Sequence, residues 1–101
     1  MIAPVIIPIN ALPNQRVSVP LSGHQFDLDI IQRSTGLYMD ITMDGVLMIA
    51  GVLCQDRSWI IRYPIYQAPG DFAFVDQIGE DDPNYSGLGS RFMLVYQEGQ
   101  P

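Results

Sequence analysis

Four carboxylates lie close together in a loop near the C-terminal end of the sequence. They are Asp76, Glu80, Asp81 and Asp82. Clustered carboxylates can bind Ca²⁺ through several oxygen atoms, or act as an acid–base pair with separated pKa values. The spacing here lacks the alternating ligands, central glycine and closing glutamate of an EF-hand loop, and no nearby group is placed to separate two pKa values. We therefore expect neither a metal site nor a catalytic site in this loop.

The remaining reactive side chains do not form a catalytic set. His24 is the only histidine and belongs to a tight turn, so Ser-His-Asp and Cys-His arrangements have little to build on. Cys54 is the only cysteine and follows an apolar run, where a free thiol usually behaves as a small hydrophobe. The sequence therefore predicts a protein that is not an enzyme and that needs no cofactor.

The acidic loop has a structural explanation instead. Asp82-Pro83-Asn84 and Gly87-Leu88-Gly89 are typical of turns, because glycine accepts positive φ and Asp or Asn caps local backbone groups. Tyr85 and Leu88 are expected to fold back as anchors, and Arg91 to pair with one or more of the acids. The acids are thus predicted to orient the loop.

Composition indicates a single small domain that another protein partly covers. Of the 101 residues, 48% are hydrophobic and 16% are charged, against roughly 25% charged in average soluble domains. The net charge is −6, and all five basic residues are arginines. Sequence-specific nucleic-acid binding requires a basic surface and is not expected.

The N-terminal residues are apolar, but Pro4 and Pro8 interrupt them and no positive region precedes them. No apolar stretch approaches the ~20 residues that span a bilayer. We expect a soluble intracellular product with no membrane partner. Residues 1–13 are expected to form an extended arm or edge strand, and residues 97–101 a loose tail.

Alternation of apolar and polar residues predicts strands along most of the chain. Two-residue turns at Ser22-Gly23 and Asp44-Gly45, and a loop at residues 33–36, connect four such strands. The predicted register matches Val19 with Phe26 and Leu28 with Ile41, so apolar residues meet on one face. In the fourth strand, the residues predicted to face inward are Val46, Met48, Ala50 and Val52.

That fourth strand is apolar on its other face as well, at Leu47, Ile49 and Leu53. A strand that is apolar on both faces is covered on both faces. Either the C-terminal half, with strands at residues 71–76 and 91–96, closes over it, or a partner subunit does. The predicted fold is all-β: a small antiparallel barrel, or a strongly twisted meander, of about six to seven strands, in a single domain over residues 1–101.

An irregular segment after Cys54 combines large aromatic rings with arginine. Its candidate interface residues are Trp59, Arg62, Tyr63 and Tyr66. Such a mixture is typical of interface hot spots. The same rings also suit the closed end of a barrel, or a stacking platform for a carbohydrate or other ligand. The other candidate interface residues are Leu47, Ile49, Leu53, Ile6 and Ile7.

Residues 15–96 resemble a known family, most specifically in the segment DPNYSGLGSRF at residues 82–92. The family is that of the baseplate plug proteins, recognised in a contractile-tailed cyanophage. The segment is a shape signature and contains no catalytic residues to transfer. Upstream, QRVSVPLSGHQFDLDI and LYMDITMDGVLMIAGVLC are similar to the N-terminal half of the family.

The resemblance implies a structural virion protein of a contractile tail baseplate, made in the host cytoplasm. It implies binding to the hub and spike proteins, contact with tube-initiating proteins, and closure of the tube lumen before genome ejection. Because hubs of such tails are commonly trimeric, a homotrimer within the assembly is expected. The alternative that the residues leave open is a small β-barrel module that binds a ligand or carbohydrate.

Overall fold

The computed structural model describes residues 5–62 and 69–98, which form two antiparallel sheets. The strands are β1 (Val5–Ile7), β2 (Asn14–Leu21), β3 (His24–Arg33), β4 (Gly36–Met43), β5 (Val46–Leu53), β6 (Gly70–Asp76) and β7 (Phe92–Glu98). One 3₁₀ turn spans Tyr85–Gly87. Within these ranges, no helix has the length and apolarity needed to cross a membrane. The all-β prediction and the number of strands are confirmed.

The larger sheet is a meander in the order β2-β3-β4-β5. Its predicted register is confirmed, since Val19 pairs with Phe26 and Leu28 with Ile41. Both residues of each two-residue turn have positive φ: 51° and 78° at Ser22-Gly23, and 52° and 81° at Asp44-Gly45. These are the angles of a type I′ turn, whose twist matches that of the strands it joins.

The predicted alternation is wrong in β5. Its register against β4 shifts on both sides of Ile41, which pairs with Ile49. Ala50, which was predicted to face inward, is exposed. The cause is a bulge in which Gly51 adopts a φ of 66° and donates its N–H to Asp40 Oδ1 at 2.7 Å. An extra residue in one strand reverses the face of the residues that follow it. The second shift restores the alternation, so Val52, opposite Met39, faces inward as predicted.

The smaller sheet, in the order β1-β7-β6, packs on the meander through aromatic rings. The centroid of the Phe72 ring lies 5.4 Å from that of Phe26 in the meander and 5.0 Å from that of Tyr96 on β7. All three side chains are at most 2% exposed. The core therefore lies between the two sheets and includes residues from both.

The sheets do not close into a barrel, which was one of the two forms predicted. Closure would require β5 to pair with β6, but the intervening chain already lies along β6. Arg57 donates its N–H to Phe74 O at 2.7 Å, and Ile60 donates to Phe72 O at 2.9 Å. Because this segment takes the backbone groups of β6, β5 remains at the edge of its own sheet.

Both ends of the described chain join the smaller sheet. β1 pairs with β7, and the side chains of Ile7 and Ile9 lie in the core at 1% and 9% exposure. β7 continues to Glu98, whose carboxylate accepts a hydrogen bond from the Ser22 hydroxyl at 2.7 Å. The N-terminal segment therefore contributes side chains to the core as well as a strand to the sheet edge.

Gly89 is expected to tolerate alanine worse than Gly45, although their φ angles are nearly equal at +83° and +81°. A Cβ at Gly89 would lie 2.4 Å from the Ile9 carbonyl oxygen, whereas a Cβ at Gly45 meets nothing within 4 Å. Gly45→Ala should cost about 1–2 kcal/mol from backbone strain alone, and Gly89→Ala about 1–3 kcal/mol more. Urea unfolding of both variants measures the difference. Equal losses would mean that Ile9 moves aside freely.

Candidate protein-binding surface

Strand β5 exposes an apolar surface at the edge of the larger sheet. Val46 is 63% exposed, Leu47 60% and Leu53 37%, while Ile49 is half-buried against the core. We call these four residues the β5 surface. Val46 lies opposite Met43 and Leu47 opposite Thr42, so the exposed side chains project from both faces of this edge strand. Exposed apolar side chains grouped on one strand mark a binding site more often than isolated exposed hydrophobes do.

The remaining candidates occupy different environments. Ile6 is 58% exposed on β1, whereas its neighbour Ile7 lies in the core of the chain itself. Trp59 is half-buried and Arg62 is exposed. Tyr63 and Tyr66 lie outside the described residues. The structure thus leaves Ile7 no free surface, and separates Ile6, on the smaller sheet, from the β5 surface, on the larger one.

Asp71 positions the segment at residues 59–62. Its side chain is 2% exposed and accepts hydrogen bonds from the N–H groups of Ile61, Arg62 and Phe72, each at 2.7 Å. Arg62 has a φ of 67°, and its Nε donates to the Trp59 carbonyl oxygen at 2.5 Å. A buried carboxylate at the start of β6 therefore fixes the local conformation of this segment.

Sequence reasoning did not identify Asp71. The alternation of Phe72 and Phe74 predicts a strand over residues 71–76 and gives Asp71 no particular role. The sequence does contain one indication of its importance. Asp71 follows Gly70 and is the only charged residue in a strand that is otherwise apolar up to Val75. A lone carboxylate in such a strand must find several donors if it is buried.

A groove lies between β5 and the segment positioned by Asp71. It has a volume of about 290 Å³ and is lined by Ile49, Val52, Leu53, Gln55, Ile60 and Arg62. Three of the residues selected from the sequence, Ile49, Leu53 and Arg62, therefore meet at one site. Four of the lining residues are apolar, and Gln55 and Arg62 add polar groups.

Arg62 brings an uncompensated positive charge to this groove. All 11 Asp and Glu residues lie within residues 5–62 and 69–98, and across those ranges Arg62 has no carboxylate within ion-pair distance. By contrast, Arg16 pairs with Asp29 at 2.7 Å. The guanidinium of Arg62 can thus still donate to an incoming acceptor.

The acidic loop uses its carboxylates internally. Asp76 is 1% exposed. Its carboxylate accepts hydrogen bonds from Arg91 Nε at 2.9 Å and from Arg91 Nη2 at 2.8 Å. It also accepts hydrogen bonds from the backbone N–H groups of Ile78 at 3.0 Å and Asp81 at 2.9 Å. Arg91 also donates to Asp81 Oδ2 at 2.6 Å. The guanidinium holds the pKa of Asp76 well below its usual range. The predicted pairing of Arg91 with the acids is confirmed.

Two further observations bear on the chemistry of the described part of the chain. Its His, Cys, Asp and Glu residues include no group of three arranged to hold a metal ion. Cys54 is 1% exposed, and burial raises the pKa of its thiol to about 12. Because the thiolate is the nucleophilic form, Cys54 is unreactive at neutral pH.

Comparison with known proteins identifies the family. No curated protein matches the chain. The family model described as "Cyanophage baseplate Pam3 plug gp18" matches residues 5–99. The match includes both sheets, the β5 surface and the acidic loop, and it confirms the resemblance found in the sequence. The family implies a non-enzymatic structural role in the tail baseplate of the virion. The chain therefore belongs to the cyanophage baseplate plug family, and it is a viral structural protein of the baseplate.

Proposed function

We propose that this protein binds the central hub and spike complex of a contractile tail, and that it closes the tube lumen until the genome is ejected. Family membership supports the baseplate role. The observation that carries the binding proposal is the β5 surface, where Val46 and Leu47 are each at least 60% exposed. In an assembled baseplate a neighbouring subunit covers these side chains.

The charge of the chain suits a plug in the path of DNA. Its net charge is −6, and three of the five arginines are paired with carboxylates of the same chain. DNA binding depends mainly on basic groups that neutralise phosphates. A plug with this balance obstructs the lumen without retaining the genome on its surface as the genome leaves. Three copies around the tail axis match the symmetry expected of the hub.

The groove is less suited to the alternative, a module that binds a ligand or carbohydrate. Its volume of about 290 Å³ falls just below the ~300–1,000 Å³ of typical ligand pockets. Trp59 is half-buried, so part of its ring is unavailable for stacking. Protein binding therefore remains the function that the surface supports best.

Co-expression with the hub protein of the same genome tests the proposal. Size-exclusion chromatography with light scattering should give a complex of defined stoichiometry. Leu47→Asp should weaken this complex at least tenfold, because a buried charge replaces an apolar contact and about 1.4 kcal/mol corresponds to tenfold. The matched control is Leu12→Asp, since Leu12 is also apolar and 48% exposed.

The Leu12→Asp control distinguishes loss of a specific binding surface from a general effect of replacing an exposed leucine by aspartate. Leu12→Asp should leave the complex intact, and both variants should unfold at the same urea concentration as the parent. Equal weakening by the two substitutions would contradict the assignment of the β5 surface. A monomer that does not bind the hub would contradict the proposed function itself.

A further inference from the structure

We propose that β5 and the adjoining groove receive an extended segment of a baseplate partner, which adds to the larger sheet as a fifth strand. The segment inserts an aliphatic side chain into the groove and places a carboxylate against Arg62. This deepens the proposed function and rests on it, because the partner is taken from the hub and spike complex. The partner is thereby defined chemically, as an extended chain with an aliphatic residue close to an acidic one.

The first support is that β5 is an unprotected edge. It pairs with β4 on one side, and no described strand lies on the other. Natural edge strands are usually blunted by charge, proline, a bulge, short length or a covering segment. β5 has eight residues, VLMIAGVL, with no charge and no proline. Its bulge uses the N–H of Gly51, whereas Val52 and Leu53 beside the groove pair in regular register with Met39 and Tyr38. Next to the groove, no strand among the described residues pairs with the outer edge of β5.

The other sheet edges in the described ranges are each protected. β2 carries Arg16, paired with Asp29, and also Pro20. β1 is only three residues long. β6 is covered by the segment containing Arg57 and Ile60, which bonds to its carbonyl groups. The contrast points to β5 as the edge on which a strand can add.

The second support is the groove beside this edge. Peptides that extend a sheet gain affinity from main-chain hydrogen bonds, and specificity from pockets that take alternate side chains. Ile49, Val52 and Leu53 line the groove with apolar side chains, and its volume of about 290 Å³ suits side chains better than a whole ligand. An aliphatic side chain projecting from the added strand satisfies this environment.

The third support is the charge at the groove. Arg62 is exposed and has no carboxylate partner within the described residues, although the chain carries 11 acidic residues. A guanidinium binds a carboxylate through paired hydrogen bonds. Because Asp71 fixes the backbone at Arg62, the charge is tethered beside the groove before any partner arrives. The net charge of −6 otherwise repels acidic segments, so the contact with Arg62 selects where such a segment binds.

Nuclear magnetic resonance titration of the full chain tests the inference. The probes are two end-blocked peptides, Thr-Val-Thr-Leu-Thr-Glu and the same sequence with lysine in place of glutamate. Amide shifts are expected along β5 and at Ile60 and Arg62, with a dissociation constant in the millimolar range or tighter. The lysine peptide should bind about tenfold more weakly, as should the glutamate peptide to Arg62→Gln.

Arg33→Gln is the matched control, because Arg33 is an exposed arginine without a carboxylate partner in the described ranges, and it does not line the groove. It should leave peptide binding unchanged. Equal effects of the two arginine variants, shifts centred on β1 or β2, or no shifts at millimolar peptide would each overturn the inference. The last result is expected if residues 63–68 of the same chain, or a second copy, occupy the groove instead.

The hub complex distinguishes this inference from the proposed function. If Arg62→Gln binds the hub as tightly as the parent does, the proposed function stands and the strand-addition inference fails. If the peptide binds as expected but no hub complex forms, the β5 groove is a peptide site and the hub assignment fails.

Discussion

Asp71→Ala is expected to lower the free energy of unfolding by at least about 2 kcal/mol and to abolish detectable hub binding. The substitution removes the acceptor of three N–H groups, two of which belong to Ile61 and Arg62. Each buried donor left without a partner costs about 1–3 kcal/mol, and exposure of the loop to water recovers part of that cost. The loss of binding follows because the groove wall formed by Ile60 and Arg62 is no longer held in place.

Asp27→Ala is the control for Asp71→Ala. Asp27 is half-buried in the larger sheet and accepts one hydrogen bond, from the Ser18 hydroxyl at 2.6 Å. Its loss should change the free energy of unfolding by less than about 1 kcal/mol and leave hub binding intact. Urea unfolding and size-exclusion chromatography with the hub measure both effects. If Asp71→Ala binds the hub normally while losing stability, Asp71 supports the fold alone and does not position the binding surface.

The meander was predictable because short-range chemistry determines it. Ser22-Gly23 and Asp44-Gly45 favour type I′ turns, and once a two-residue turn is placed the register of the strands follows. The apolar matching of Val19 with Phe26 then provides an independent check. The pairing of Arg91 with the acidic loop was predictable for a similar reason, since one cation lies beside several carboxylates in sequence.

The errors arose where backbone groups compete for partners. Nothing in the apolar pattern of β5 shows that Gly51 donates to Asp40 and so shifts the register. The side-chain pattern also does not show that the backbone N–H groups of Arg57 and Ile60 hydrogen-bond to β6 in place of β5. These hydrogen bonds keep the barrel open. Both outcomes depend on positive φ at particular residues, Gly51 and Arg57, and alternation does not encode φ.

The candidate site was predicted in part. Leu47, Leu53 and Arg62 were selected because they are apolar on an outward face, or basic near aromatic rings, and the structure brings them to one edge. Ile7 was selected from a run of apolar residues without knowledge of which side faces the core. Asp71 was missed because its importance comes from three backbone donors that only the folded chain brings together.

Acid is expected to destabilise this protein through Asp76. The Arg91 guanidinium lowers the pKa of Asp76 in the folded state, whereas the unfolded chain has the ordinary value of about 3.9. A lowered folded-state pKa means that the contribution of Asp76 is fully present well above pH 4, and is lost progressively as the pH falls below it. The free energy of unfolding should therefore decrease steadily between about pH 5 and pH 2, the range in which unfolded Asp76 takes up its proton and folded Asp76 resists it.

Asp76→Asn isolates this contribution, because the amide keeps the size of the side chain and removes its charge. The variant should be less stable than the parent at pH 7, and its stability should fall less steeply toward pH 2, so that the two urea midpoints converge in acid. Glu80→Gln is the control: Glu80 is exposed in the same loop and makes no ion pair with the described residues, so its pH profile should follow that of the parent. Parallel profiles for the parent and Asp76→Asn would show that the acid sensitivity lies elsewhere. Convergence would instead establish that the ion pair between Asp76 and Arg91 holds the acidic loop, so that Asp76 serves the fold.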